Sequence, residues 1–210
     1  MVDSRPSQPP APGGGPSAHK DTFARELLPP LALQPVFDFT GVPELAAYDS
    51  YQNAATKLLD NMVTIGFGER PVLHYENKSW TYGDLLTLSN QIARVLVEDC
   101  GMLTGARVLL RAANTPMLVA CWFAVLKAGG ICVTTMPLLR ARELTYLIDR
   151  SGVTIALSDV ALTDELEEAA ASSPELRHLL YFTAVADGGS KATLETAMHE
   201  KQSDFTNVNT

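Results

Sequence analysis

The 210-residue sequence predicts an α/β fold: a mostly parallel sheet built from βαβ units with flanking helices, preceded by an unfolded tail. Three observations carry this expectation. From Arg107 to Thr183, strand-like runs alternate with helical segments, the order that right-handed crossovers onto a parallel sheet require. Hydrophobic residues make up 46% of the chain, enough for one ordinary core or slightly more. The first residues, MVDSRPSQPPAPGGGPS, carry so much Pro, Gly and Ser that they cannot bury enough surface to offset chain entropy.

The elements follow in order. Residues 1–20 are expected to be disordered, and 21–51 to form an irregular arm, because LLPPLALQP and FTGVPEL break every apolar run. Residues 52–210 are expected to form the α/β part. There Ala55, Leu58, Leu59, Met62 and Ile65 fall at helical spacing, with Gly66 and Gly68 where a helix would stop. Pro71 to Tyr75 reads as a strand, Glu76 to Lys78 as a turn and Ser79 to Trp80 as a short return strand. Thr81 can cap the next helix, with Asp84 reaching back in a capping box; Leu85, Leu88, Ile92, Val95 and Leu96 give its apolar stripe, which ends near Gly101.

The alternation then begins. Strands are expected at Arg107 to Ala112, Ile131 to Thr135, Val153 to Ser158 and His178 to Thr183. Helices are expected from Thr115 to Ala128, around Leu144, Leu147 and Ile148, and around Leu162, Leu166 and Ala169. The helix from Thr115 to Ala128 is apolar nearly all round, so it needs cover on more than one side, and the chain alone should be fragile.

Composition excludes several functions. A net charge of -8 with scattered Lys and Arg gives no footprint for nucleic acid. The apolar run Met117 to Leu126 is well short of the roughly 20 residues that span a bilayer, and the first residues lack the apolar core of a signal peptide. Cys100, Cys121 and Cys132 show no C-x-x-C and read as reduced thiols in the cytoplasm. His19, His74, His178 and His199 show no zinc-ligand spacing.

Other attractive residues have plainer readings. Asp164, Glu165, Glu167 and Glu168 read as the solvated face of a helix with acids in its first turn. Lys127 reads as a structural cation in the last turn of a helix, where Gly129 or Gly130 can adopt the left-handed cap. Gly13 to Gly15 follow no strand, and no Ser stands in a G-x-S-x-G elbow.

Two longer stretches carry a resemblance. SWTYGDLLTLSNQIARVLVE and WFAVLKAGGICVTTMPLLRAREL, with GARVLLRAANTP between them, resemble in order the opening motifs of the acyl-CoA synthetase, adenylation-domain and luciferase superfamily. HKDTFARELLPP, ERPVLHY and TMPLLRARELTYLIDRS are most similar to aryl-acid CoA ligases of the 2-aminobenzoate and benzoate type. The likeness covers about residues 19 to 210 and implies the first subdomain of the family's large domain.

Such ligases activate a carboxylic acid with ATP and pass the acyl group to the thiol of CoA, so the resemblance implies ATP, Mg2+, CoA and an acid substrate for a full-length parent. The family's phosphate loop, approximately [ST]-S-G-[ST]-[ST]-G-x-P-K-G, does not occur in this sequence. Asp187-Gly188-Gly189-Ser190-Lys191 is the nearest imitation and reads as a surface turn sooner than an anion contact. DFTNVNT resembles the segment about a dozen positions before that loop, so the sequence is expected to stop just short of it. No residue is therefore assigned a catalytic, cofactor-binding or metal-binding role, and the chain alone is expected to be inactive. An incomplete sheet would leave an exposed edge or apolar faces through which it could associate with the remainder of the ligase or another partner.

Overall fold

The computed structural model describes residues 18–36, 38, 41–47 and 52–210. Most of the tail expected to be disordered, residues 1–17, lies outside the described residues, as do 37, 39, 40 and 48–51 of the arm.

The described arm holds one short helix, α1 (Phe23–Glu26), and 3-10 turns at Leu31–Leu33 and Pro43–Ala47. Its start is tied down: the backbone N–H groups of Lys20 and Asp21 donate to the Thr104 carbonyl at 3.0 and 2.9 Å. Asp21 also pairs with Arg107 at 2.6 Å, and the Arg107 guanidinium lies over the Phe23 ring at 4.6 Å.

A helix follows over 54–67, wound as π-helix at Thr56–Asp60 and Val63–Phe67, and Gly66 leaves helical geometry at φ 90°. The antiparallel hairpin β1 (Pro71–Tyr75) and β2 (Lys78–Thr81) leads into α2 (Tyr82–Arg94). The capping box is present: Thr81 Oγ1 accepts from the Asp84 N–H at 3.1 Å, and the Thr81 N–H donates to Asp84 Oδ2 at 2.9 Å. The helix continues as a π-helical turn, Val95–Asp99, and the chain reverses at Gly101.

The α/β unit comprises β3 (Arg107–Arg111), α3 (Pro116–Lys127), β4 (Ile131–Thr135), α4 (Ala141–Ser151), β5 (Ile155–Asp159), α5 (Thr163–Ser172), β6 (His178–Phe182) and α6 (Thr193–Met198). The four strands β3 to β6 are parallel, in the order β4-β3-β5-β6. Because the chain moves one way from β3 to β4 and the other way from β4 through β5 to β6, right-handed crossovers must put α3 on one face and α4 with α5 on the other.

Side-chain alternation along the central strands fills both faces. Val108, Leu110, Ile155, Leu157 and Phe182 share a core with α2 and α3, including Leu85, Ile92, Ala120 and Ala124. Leu109 and Ala156 face the opposite way, onto Leu144 and Ile148 of α4 and Leu166 and Ala169 of α5. The central strands are buried on both faces, which is why RVLLR and IALSD read as apolar runs without alternation.

The structure departs from expectation in several places, two of which bear on the sheet and on its cover. β5 starts at Ile155, two residues late, because the Val153 N–H is still engaged with the end of α4, donating to the Ile148 carbonyl at 3.1 Å after the left-handed Gly152. α6 and the extended segment after it gave no periodic signal; they are held by contacts with α2.

Candidate functional site

In an open parallel sheet a ligand has room beyond the carboxyl ends of the strands, where neighbouring crossovers leave to opposite sides. Here that place lies between β3 and β5, at Arg111 and Ser158. Both side chains are fully buried. Arg111 donates to the carbonyls of Met136 at 3.1 Å, Pro137 at 2.9 Å and Leu139 at 2.8 Å. Burial pushes the guanidinium pKa below its ordinary value, and its Nε has no hydrogen-bond partner among the described residues. Ser158 Oγ donates to the Asp159 carbonyl at 3.2 Å. The crevice position is thus filled by a side chain that shapes the loop between β4 and α4.

Acidic groups nearby are engaged with the N-terminus of α4. Glu165 pairs with Arg140 at 2.6 Å and accepts from the Ala141 N–H at 2.7 Å, and Glu143 accepts from the Arg140 N–H at 3.0 Å. The Arg140 hydrogen bond holds the Glu165 carboxyl below its usual range. Of the other acids in the same run, Glu167 accepts from the Tyr181 hydroxyl at 3.3 Å and Asp164 from the Thr163 hydroxyl at 3.1 Å.

Lys127 sits at the other end of α3, about 18 Å along the helix axis from Thr115, given a rise of 1.5 Å per residue. Its side chain is fully buried, and Nζ contacts both carboxylate oxygens of Asp60 at 2.6 Å. Desolvation lowers the ammonium pKa, and the Asp60 hydrogen bond acts in the opposite direction. Lys127 therefore joins α3 to the 54–67 helix, remote from the crevice. Sequence reading found Lys127 but missed Asp60, whose side chain arrives from 67 positions away.

Asp187 to Lys191 forms the connection from β6 to α6, with Gly188 at φ 76° and Gly189 at φ 145°. Asp187, Gly189, Ser190 and Lys191 are exposed, and the turn is closed by the Thr183 hydroxyl accepting from the Asp187 N–H at 3.1 Å. His74 Nδ1 is 2.8 Å from Ser79 Oγ across the hairpin. Among the described residues no group of three His, Cys, Asp or Glu side chains could hold a metal ion.

The thiols are insulated. Burial pushes Cys100 up to about 11 and Cys132 up to about 12, and raises Cys121 well above the ordinary thiol value. None of them is a thiolate nucleophile near neutral pH. A cleft of about 560 Å³ beside α2 is lined by Arg94, Glu98, Asp99 and Lys201, but these charges are spent on one another: Arg94 pairs with Glu98 at 2.8 Å, and Lys201 with Asp99 at 2.6 Å. Among the described residues, no helix is long and apolar enough to cross a membrane.

The fold and sequence both find relatives. The family described as AMP-binding enzyme matches residues 65–208. Surfactin synthase subunit 2 of Bacillus subtilis (strain 168) is 32% identical over 95 residues, covering 45% of this chain and 3% of that protein. Long-chain-fatty-acid--CoA ligase of the same organism is 32% identical over 92 residues, 44% of this chain and 16% of that protein. Among solved structures, the anthranilate CoA ligase AuaEII in complex with anthranoyl-AMP superposes with a TM-score of 0.68 at 18% identity, covering 76% of this chain and 29% of that one. At that identity the likeness is one of fold. The chain thus spans less than a third of each of these proteins.

Proposed function

The chain belongs to the AMP-binding enzyme family, and from that premise we propose that it is the first α/β part of an ATP-dependent, adenylate-forming acid-CoA ligase. The observation that carries the reading is the order of the motifs on the fold: the capped α2, the β3–α3–β4 unit and the MPLLR loop follow one another as the family's opening segments do. In the whole protein, a carboxylic acid would attack the α-phosphate of ATP, releasing diphosphate and forming an acyl-adenylate, and the CoA thiol would then displace AMP.

We further propose an aryl acid of the aminobenzoate or benzoate kind as substrate. It is supported by the HKDTFARELLPP and TMPLLRARELTYLIDRS stretches and by the fold-level likeness to an anthranilate CoA ligase.

The buried cations present do not fit the triphosphate of ATP. A triphosphate needs a nest of backbone N–H groups with a free cation, because fixed donors must offset its charge. Arg107, Arg111 and Lys127, the buried cations, are all engaged with carbonyls or carboxylates. The 187–191 turn opens only the six-residue α6. The 210-residue chain is accordingly proposed to be inactive on its own. Acid-dependent exchange of radiolabelled diphosphate into ATP tests this with the purified chain: no exchange above the no-acid control is expected with benzoate, 2-aminobenzoate or a fatty acid. Exchange that depends on any of these acids would overturn the claim of inactivity.

A second reading, a non-catalytic module that associates with the remainder of the ligase or another partner, draws on the sheet edges. The β6 edge is occupied, since the Thr193 hydroxyl accepts from the Tyr181 N–H at 3.0 Å and Glu195 accepts from the Thr183 N–H at 2.7 Å. No strand among the described residues pairs with the outer side of β4. A cytoplasmic location goes with either reading, as the three cysteines stand as buried or half-buried thiols.

A further inference from the structure

The extended segment after α6 crosses α2 and is held at two places by different chemistry. At its start, Gln91 Nε2 donates to the Lys201 carbonyl at 3.1 Å, Asn90 Nδ2 to the Ser203 carbonyl at 2.7 Å and Arg94 Nε to the Asp204 carbonyl at 2.8 Å. Ion pairs reinforce this end: Arg94 with Asp204 at 2.8 Å, and Lys201 with Asp99 at 2.6 Å and Glu98 at 3.1 Å. The Asp204 side chain is 81% exposed, so water and salt reach this anchor.

The far end is different. The Val208 N–H donates to the Lys127 carbonyl at 2.9 Å. Asn53 Nδ2 donates to the carbonyls of Val208 at 2.7 Å and Leu126 at 2.6 Å, while its Oδ1 accepts from the Ala55 N–H at 2.9 Å. Asn207 Nδ2 donates to Thr56 Oγ1 at 2.7 Å and to Asp60 Oδ1 at 3.1 Å, the same carboxylate that holds Lys127. A buried ammonium without that carboxylate would carry a large desolvation cost, so the pair cannot open cheaply, and everything bonded to it is held as well.

We propose that residues 201–208 form a strap with two independent anchors, and that the buried Lys127–Asp60 pair is the positioning device that fixes its far end. The pair orients the Asp60 carboxylate for Asn207 and presents the Lys127 carbonyl to Val208. The chain beyond Val208 therefore starts beside Gly129, at the end of the sheet where β4 begins, while the Arg94 anchor can release without moving that end.

Hydrogen exchange followed by NMR on the full 210-residue chain tests it. In Lys127→Met, which keeps the bulk and removes the charge, exchange of the Val208 amide should rise about tenfold or more, while the Leu109 amide in β3 changes by less than about twofold. Asn207→Ala, which leaves the buried pair intact and so remains folded even if Lys127→Met does not, should shift Val208 in the same direction. Raising salt to about 1 M, where the screening length falls to about 3 Å, should speed exchange of the Arg94 Nε–H and leave Val208 unchanged. An unchanged Val208 rate in both variants, a rise matched at Leu109, or an equal salt response at the two anchors would overturn the proposal.

Discussion

Arg107 and Arg111 stand four residues apart on one face of β3, and between them they hold both ends of α4. Arg107 donates to the carbonyls of Ser151 and Gly152 at 2.9 and 2.8 Å, where the helix ends and a cation also complements its dipole. Arg111 donates to three carbonyls of the loop that enters the same helix. Arg111→Met should cost about 3 kcal/mol, because a charged donor is lost and buried carbonyls are left without a partner. Arg111→Lys should recover only part of this, since an ammonium lacks the planar fork that reaches several acceptors at once. Urea denaturation of the two variants is the check, and a loss below about 1 kcal/mol for Arg111→Met would remove the loop-holding role. In the sequence the two arginines bracket VLL and read as the polar ends of a strand. That they are buried was not legible, because the carbonyls at the two ends of α4 to which they donate lie 25 to 45 positions away.

At the scale of elements, what was legible is what local chemistry decides. The Thr81 box uses a partner three residues on and is formed as the spacing requires; Thr115, expected inside its helix, instead caps it by accepting from the Leu118 N–H at 3.3 Å. The end of α3 is equally local. Gly129 takes the left-handed position at φ 72°, its N–H donates to the Leu126 carbonyl at 3.0 Å, and the Gly130 N–H donates to the Val125 carbonyl at 2.8 Å, the Schellman arrangement. Gly129→Ala should lower stability by about 1–2 kcal/mol: a left-handed alanine is unfavourable, and its Cβ would stand 3.2 Å from Thr104 and Val208. Thermal melts of the pair would show it, and an unchanged midpoint would contradict the assignment of Gly129 as the cap. What local chemistry does not decide was missed: α6 is six residues without periodicity, and the π-helical turns of the 54–67 helix and of Val95–Asp99 leave no mark on spacing. Lys127 read as a structural residue, but Asp60, which pairs with it, and Asn207, which donates to the same carboxylate, are brought in only by the fold.

For the whole molecule, the question is how much apolar surface the described fold leaves uncovered. α3 is covered by α2 on one side and the sheet on another, yet Leu118, Val119, Trp122 and Phe123 remain half-buried, with Trp122 and Phe123 meeting edge to face at 5.1 Å. Beside the outer edge of β4, which no strand among the described residues pairs, the next loop exposes Met136 and Leu138, the latter at 80%, and α4 exposes Tyr146. An open strand edge with large apolar side chains beside it favours association over a stable monomer. The purified chain should therefore bind a hydrophobic dye under native conditions and scatter light with an average mass above that of a monomer, increasing with concentration. Leu138→Glu should reduce both signals without lowering the melting midpoint, because the side chain it replaces makes little contact in the isolated fold. A monodisperse monomer that melts cooperatively and binds no dye would show that the exposed surface is tolerated in water, and the association reading would then lose the edge and the apolar loop on which it rests.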